Sequence, residues 1–70
     1  MRIVIASFPN KEKVVAEIYD GENQWAELSQ EHDSLILEIY PCEDTKAWTF
    51  QYQDVIDILK EAEHKLLGKM

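Results

Sequence analysis

Apolar and polar residues alternate along residues 1–40 in a way that predicts four β-strands. Residues 2–8 are apolar on both alternating faces, and residues 14–20, 24–30 and 34–40 each alternate like half-buried strands. Polar segments that contain Gly21 or Asp33 separate the last three strands and are typical of turns. Such short connections between consecutive strands favour an antiparallel sheet.

The last third of the chain changes from the strand period to the helical period. Its apolar residues recur at i, i+3, i+4 and i+7: Tyr52, Val55, Ile56, Leu59, Ala62 and Leu66. Acidic residues near the start and basic residues near the end complement a helix dipole, and Gly68 suits the position just beyond a helix. The pattern predicts a helix over residues 53–67.

Together these elements predict one α+β domain over residues 1–70, with a small, largely antiparallel four-stranded sheet packed against one C-terminal α-helix. A single helix covers one face of a sheet. We expect it to cover the aliphatic set, which includes Ala16, Ile18, Leu28 and Leu37, and to leave the other face open. The pattern does not assign a neighbour to the first strand.

Register arithmetic predicts a row of carboxylates on the open face. A three-residue loop at 21–23 places Glu17 opposite Glu27, and a two-residue loop at 32–33 places Glu27 opposite Glu38. Like charges directly opposite each other destabilise a sheet by about a few tenths of a kcal/mol per pair. A row of this kind therefore favours a binding role over a purely structural one.

The same register predicts an aromatic row beside the carboxylates: Tyr19, Trp25 and Tyr40. Aromatic residues surrounded by polar ones are typical of protein-binding surfaces, although residues 47–50 could instead cover these rings. We predict that the two rows bind a partner and that further acidic residues form the rim. The candidate partner-binding residues are Glu17, Tyr19, Trp25, Glu27, Glu38, Tyr40, Glu22, Glu31, Asp33, Glu43 and Asp44.

The charge distribution indicates which partners this surface suits. The chain has 14 acidic and 7 basic residues, a net charge of −7, and no Lys or Arg between residues 14 and 45. Such a field repels nucleic acid and anionic membranes and attracts a basic protein, although an acidic surface also keeps a small protein soluble. No apolar segment approaches the roughly 20 residues that span a bilayer. We expect a cytoplasmic protein that contacts neither nucleic acid nor membrane directly.

The residues offer little for catalysis or metal binding. No nucleophile or glycine-rich loop accompanies the carboxylates, and a flat sheet lacks the wrapping loop that a calcium site needs. His32 and His64 lie in separate predicted elements, and Cys42 is a single cysteine without metal-ligand spacing. We expect a protein that is not an enzyme and that has no cofactor and no metal site.

The segments WAELSQE, LILEIYP, AWTF and DVIDILKEAEHKL resemble short bacterial proteins of the immunity and antitoxin kind. The likeness spans residues 14–67 and is greatest to immunity proteins of contact-dependent growth inhibition and related polymorphic toxin systems. It implies a small, acidic, non-catalytic inhibitor that binds the basic nuclease domain of a secreted toxin and blocks its RNA or DNA site. The matching positions here are the acidic strand residues, and 70 residues is short for such a protein.

Two alternatives remain alongside this interpretation. One is an antitoxin-like or regulatory domain that forms homodimers through the open sheet face. The other is an acidic DNA-mimic inhibitor from a phage or mobile element, which would compete with DNA for a host protein. A stable dimer without a partner would favour the first, and neighbouring phage genes would favour the second.

Overall fold

A computed structural model describes residues 1–7, 14–42 and 46–68 of the chain. In chain order the elements are β1 (Arg2–Ser7), β2 (Val14–Asp20), β3 (Asn23–Glu31), β4 (Ser34–Ile39) and α1 (Tyr52–Leu66). The strands form one antiparallel sheet in the order β1-β2-β3-β4, and α1 packs against it. The predicted α+β class is confirmed, and β2 is the neighbour of the first strand. Phe8, the end of the predicted first strand, lies outside the described residues.

The hydrophobic core forms between the middle of the sheet and one face of α1. Ala16, Ile18 and Ala26 are fully buried and belong to the same cluster as Ile58 and Ala62 of the helix. Alanine on both elements lets the helix approach the strands closely, and burial of a side chain such as Ile18 stabilises the fold by roughly 1.5–3 kcal/mol. This cluster fixes α1 over β2, the second strand of the sheet.

Helix α1 does not cover the fourth strand. It contacts β1, β2 and β3, and it does not reach β4. A helix about 10 Å across spans only about two strand spacings of roughly 4.8 Å, so a strand two places from β2 is left outside. Leu35, Leu37 and Ile39, on the helix side of β4, are consequently 39%, 39% and 63% exposed. The prediction that the helix covers the whole aliphatic set, including Leu37, is wrong for this strand.

The β2–β3 hairpin turns in two residues, 21 and 22, so that Asp20 pairs with Asn23 and Tyr19 with Gln24. Gly21 has a φ of 61°. Two-residue hairpin loops require a positive φ at their first position, and glycine adopts it without steric cost. The predicted three-residue loop is therefore wrong.

A β-bulge in β3 restores the predicted register beyond this turn. Ile18 pairs with Ala26, which leaves Trp25 as the extra residue of the ladder, and Glu17 then lies opposite Glu27 as predicted. A two-residue loop and one extra strand residue produce the same offset as a three-residue loop. The bulge also redirects the side chain of the extra residue, which decides where Trp25 lies.

Candidate functional site

The predicted carboxylate row is present on the sheet face opposite α1. Glu17 pairs with Glu27 across β2 and β3, and Glu27 pairs with Glu38 across β3 and β4. We call these residues the acidic row. Directly paired residues have Cβ atoms about 4.5–5.5 Å apart, so the carboxylates are close neighbours. Val4 of β1 continues the same row, and no ion pair of the acidic row occurs within the described residues.

Tyr19 flanks the acidic row on β2. Its hydroxyl donates a hydrogen bond to Glu17 Oε1 at 3.2 Å, and the guanidinium carbon of Arg2 lies 4.3 Å from the ring centroid. Desolvation raises the pKa of the Tyr19 hydroxyl, the charge of Glu17 and its hydrogen bond raise it further, and Arg2 opposes the shift. The guanidinium group of Arg2 is thus held over an aromatic ring next to the row.

Tyr40 flanks the row at the end of β4. Desolvation raises the pKa of its hydroxyl, and the charges of Glu27, Glu38 and Glu17 together with a hydrogen bond to Glu27 raise it further. Because all the row carboxylates act on this one hydroxyl, Tyr40 lies within their shared negative field. The predicted positions of Tyr19 and Tyr40 beside the row are confirmed by these contacts.

Trp25 does not belong to this surface, and its predicted place in the aromatic row is wrong. It is 3% exposed, and its ring centroid lies 4.8 Å from that of Phe50, which in turn stacks on Trp48. Its Nε1 is buried without a hydrogen-bond partner among the described residues. The bulge turns Trp25 toward the core, and Gln24 takes the place opposite Tyr19 on the open face. Alternation alone could not reveal this, since a bulge breaks the two-residue period.

A cleft of about 460 Å³ opens beside Tyr40 at one end of the acidic row. The indole Nε1 of Trp48 donates a hydrogen bond to the Tyr40 carbonyl oxygen at 2.9 Å and fixes one wall of this cleft. The lining residues are Glu22, Asn23, Gln24, Tyr40, Pro41, Cys42 and Trp48. No local pattern in the sequence predicts the cleft, because its walls come from the β2–β3 hairpin and from residues that follow β4, which only the tertiary structure brings together. Cys42 is a free thiol in its wall.

The structure separates the predicted rim residues. Glu22 lines the cleft, whereas Glu31 and Asp33 are exposed at the β3–β4 turn, at the opposite end of the sheet. Glu31 is four residues from Glu27 along β3, about 13 Å away at the usual strand rise. Glu43 and Asp44 lie outside the described residues. Of the rim residues that the structure describes, Glu22 alone joins the surface formed by the row and the cleft.

Only part of the open face is accessible to a partner. Val15 and Ser29 point away from α1, yet they are just 5% and 8% exposed. Glu17, Glu27 and both flanking tyrosines are half-buried, while Glu38 is exposed. The candidate residues that remain accessible on this face form a strip that consists of the acidic row, the two tyrosines and the cleft.

This strip can attract and hold cations of a macromolecule, because it combines carboxylates with hydroxyl groups and aromatic rings. Within residues 1–7, 14–42 and 46–68, no group of three or more His, Cys, Asp or Glu side chains is arranged to hold a metal ion. No helix in those ranges combines the length and the apolar character needed to cross a bilayer.

The molecule is thus a small α+β domain that presents an acidic strip on the face of the sheet opposite its helix. Comparison of the chain with protein-family models, with curated proteins and with solved structures gave no match.

Proposed function

We propose that this protein is a non-catalytic inhibitor that binds a cationic surface of another protein through its acidic row. The alignment of Glu17, Glu27 and Glu38 on adjacent strands, with no described cation within the row, carries the proposal. Such alignment lowers the stability of the free sheet. A partner that brings Lys or Arg to the row would relieve this repulsion on binding. The stability that the repulsion costs the free protein would then be recovered in the free energy of binding.

The cleft beside Tyr40 supports the same proposal. Tyr and Trp are enriched among residues that dominate protein-protein affinity, and both line this cleft, as does Glu22. A basic side chain of the partner could enter it and meet aromatic rings and a carboxylate together. The acidic row would supply attraction over a distance, and the cleft would supply one specific anchor.

The partner class in this proposal is the nuclease domain of a bacterial toxin, and the protein then acts as a cytoplasmic immunity protein. A nuclease site is cationic because it must hold phosphate groups. Complementary charge accelerates association and raises specificity, which suits an inhibitor that must act before damage occurs. The resemblance of residues 14–67 to immunity proteins supports this choice of partner.

The test uses the toxin nuclease domain encoded beside this gene. Calorimetry measures its binding to the protein, and a nucleic-acid cleavage assay measures its inhibition. We expect the wild-type protein to bind and inhibit. Glu27→Lys combined with Glu38→Lys should abolish both effects, since it replaces attraction by repulsion at the centre of the surface.

The matched control reverses two charges on α1, Asp57→Lys with Glu61→Lys. It changes the net charge by the same amount but lies on the helix, away from the row, so binding should persist with a slower association rate. Binding that survives the row reversal in a folded variant contradicts the proposed surface. If phage genes stand in place of a toxin gene and the protein competes with duplex DNA for a host protein, its function is DNA mimicry and not toxin inhibition.

A further inference from the structure

Among the described residues no strand pairs with the outer side of β4, so this strand forms a free edge of the sheet, and its aliphatic side chains are exposed on both faces. Leu35, Leu37 and Ile39 lie on the helix side beyond the reach of α1, and Ile36 on the other face is 40% exposed. We propose that two copies of this chain pair through β4 in antiparallel orientation and form one continuous eight-stranded sheet. This interface uses the outer edge of β4, includes Glu38 of the acidic row at its margin, and goes beyond the proposed inhibition.

The backbone direction of β4 supports pairing at this edge. The amide of Tyr40 donates to the carbonyl oxygen of Trp25 at 2.9 Å, so residue 40 points its backbone groups toward β3. Backbone groups of successive strand residues point to opposite sides in an antiparallel ladder. The amides and carbonyls of Leu35, Leu37 and Ile39 therefore point outward, where a second strand can pair with them.

Symmetry and side-chain pattern select the register of this pairing. With a two-fold axis at Leu37, that residue pairs with its own copy and Leu35 pairs with Ile39 of the second copy. Each aliphatic residue on the helix side then meets another aliphatic residue. On the opposite face Glu38 meets Ile36, so the two Glu38 carboxylates are not directly paired. An axis at Ile36 would instead place Ile39 opposite Asp33, which lies in a turn.

The other edge of the sheet lacks these properties. Strand β1 begins with Arg2 and is contacted by α1, whereas β4 is not contacted by the helix, contains no Pro, pairs with β3 without a bulge, and has Glu38 as its one charged residue. Natural proteins commonly protect free edges by such charges, prolines, bulges or coverage. Because β4 lacks coverage, proline and a bulge, and because its one charge, Glu38, meets Ile36 rather than a second carboxylate in this register, its edge is suited to pairing with a further strand.

The size of the interface indicates a moderate affinity. Stable interfaces bury about 800 Å² per partner, and one strand edge with its side chains buries less than this. Each copy also carries a net charge of −7, which opposes association. We expect a dimer that forms at micromolar concentration and becomes tighter as salt screens the charges.

Sedimentation velocity over a range of protein and salt concentrations tests this inference on the full chain. The wild-type protein should dimerise, and Leu37→Lys should weaken the dimer at least about tenfold, because it buries an unpaired charge at the axis. Ile5→Lys is the matched control. Ile5 is 43% exposed on the helix side of β1, so its substitution should leave the dimer intact.

Cysteine cross-linking tests the register independently of any loss of folding. In a Cys42→Ser background, Leu37→Cys should form a disulfide-linked dimer on oxidation, since residues paired across the axis have Cα atoms about 5.5 Å apart. Leu35→Cys should not, because its copy lies about four residues along the strand. A wild-type protein that stays monomeric at about 100 µM in high salt, or equal cross-linking of both variants, would overturn the inference. Toxin binding can succeed or fail independently of this result.

Discussion

Tyr40 is the residue at which the acidic row, the cleft and the free edge meet. Its hydroxyl lies in the field of the row carboxylates, its amide donates to the carbonyl oxygen of Trp25, and its carbonyl accepts from the indole of Trp48. The raised pKa of the hydroxyl means that the folded state favours its neutral form. Ionisation at high pH would place another negative charge next to the row.

This shift predicts how stability depends on alkaline pH. A folded-state pKa above the ordinary value of 10.0 contributes stability that is present below pH 10.0 and is lost as pH rises through the folded-state pKa. The wild-type melting temperature should therefore fall as the pH rises from 10.0 through the folded-state pKa of Tyr40. In Tyr40→Phe this fall should be smaller, as measured by thermal melts from about pH 8 to pH 12.

Tyr52→Phe provides the control for that measurement. Tyr52 is 78% exposed on α1, so its removal should leave the alkaline fall unchanged. An identical pH profile for Tyr40→Phe and the wild-type protein would show that the Tyr40 hydroxyl does not interact with the row as described.

Among the elements, the two hairpin loops show how local backbone strain is distributed. Gly21 and His32 both have a positive φ, 61° and 56°, at the first position of a two-residue loop. Glycine adopts this conformation freely, whereas a residue with a Cβ does so at a cost of roughly 1 kcal/mol. The β3–β4 loop therefore already contains the strain that the β2–β3 loop avoids.

Gly21→Ala should lower the free energy of unfolding by about 1 kcal/mol, as measured by urea denaturation. A Cβ at this position would meet no atom within 4 Å, so the loss comes from the backbone alone. His32→Ala is the matched substitution and should change stability by less than about 0.5 kcal/mol, since both residues carry a Cβ. Equal losses in the two loops would argue against backbone strain as the cause.

For the molecule as a whole, uneven charge is the dominant electrostatic property. Residues 14–45 include nine acidic residues and no Lys or Arg. The acidic row brings three of these carboxylates together on one face of the sheet. Self-repulsion of this kind lowers the stability of the compact state and is screened by salt. The free protein should thus become more stable as ionic strength rises.

Removal of one carboxylate charge from the acidic row should stabilise the free protein, as added salt does. Glu38→Gln should raise the free energy of unfolding by about a few tenths of a kcal/mol at low salt, measured by denaturation with urea. The control is Glu61→Gln on α1, where the carboxylate lies 3.6 Å from Lys65 Nζ. That substitution removes an attraction and should lower stability by about 0.3–0.5 kcal/mol. A loss of stability in Glu38→Gln would contradict repulsion within the row.

Much of this architecture is predictable from local patterns. The strand and helix periods predicted the fold class, the element order and the bounds of all five elements to within one residue. The pairing of Glu17, Glu27 and Glu38 was also predictable, because a one-residue slip would move the aliphatic residues of each strand to solvent. Partner identity and lack of catalysis stay predictions.

The sequence by itself determined the periodicity of each element and the charge between residues 14 and 45, because these are properties of the covalent chain. The tertiary structure alone decided that Trp25 enters the core, since the bulge arises from the combined demands of a tight turn and a buried face. It also decided that α1 leaves β4 uncovered, since one helix is narrower than four strands. Both outcomes depend on how elements of fixed size fit together in space, which no single segment of the chain encodes.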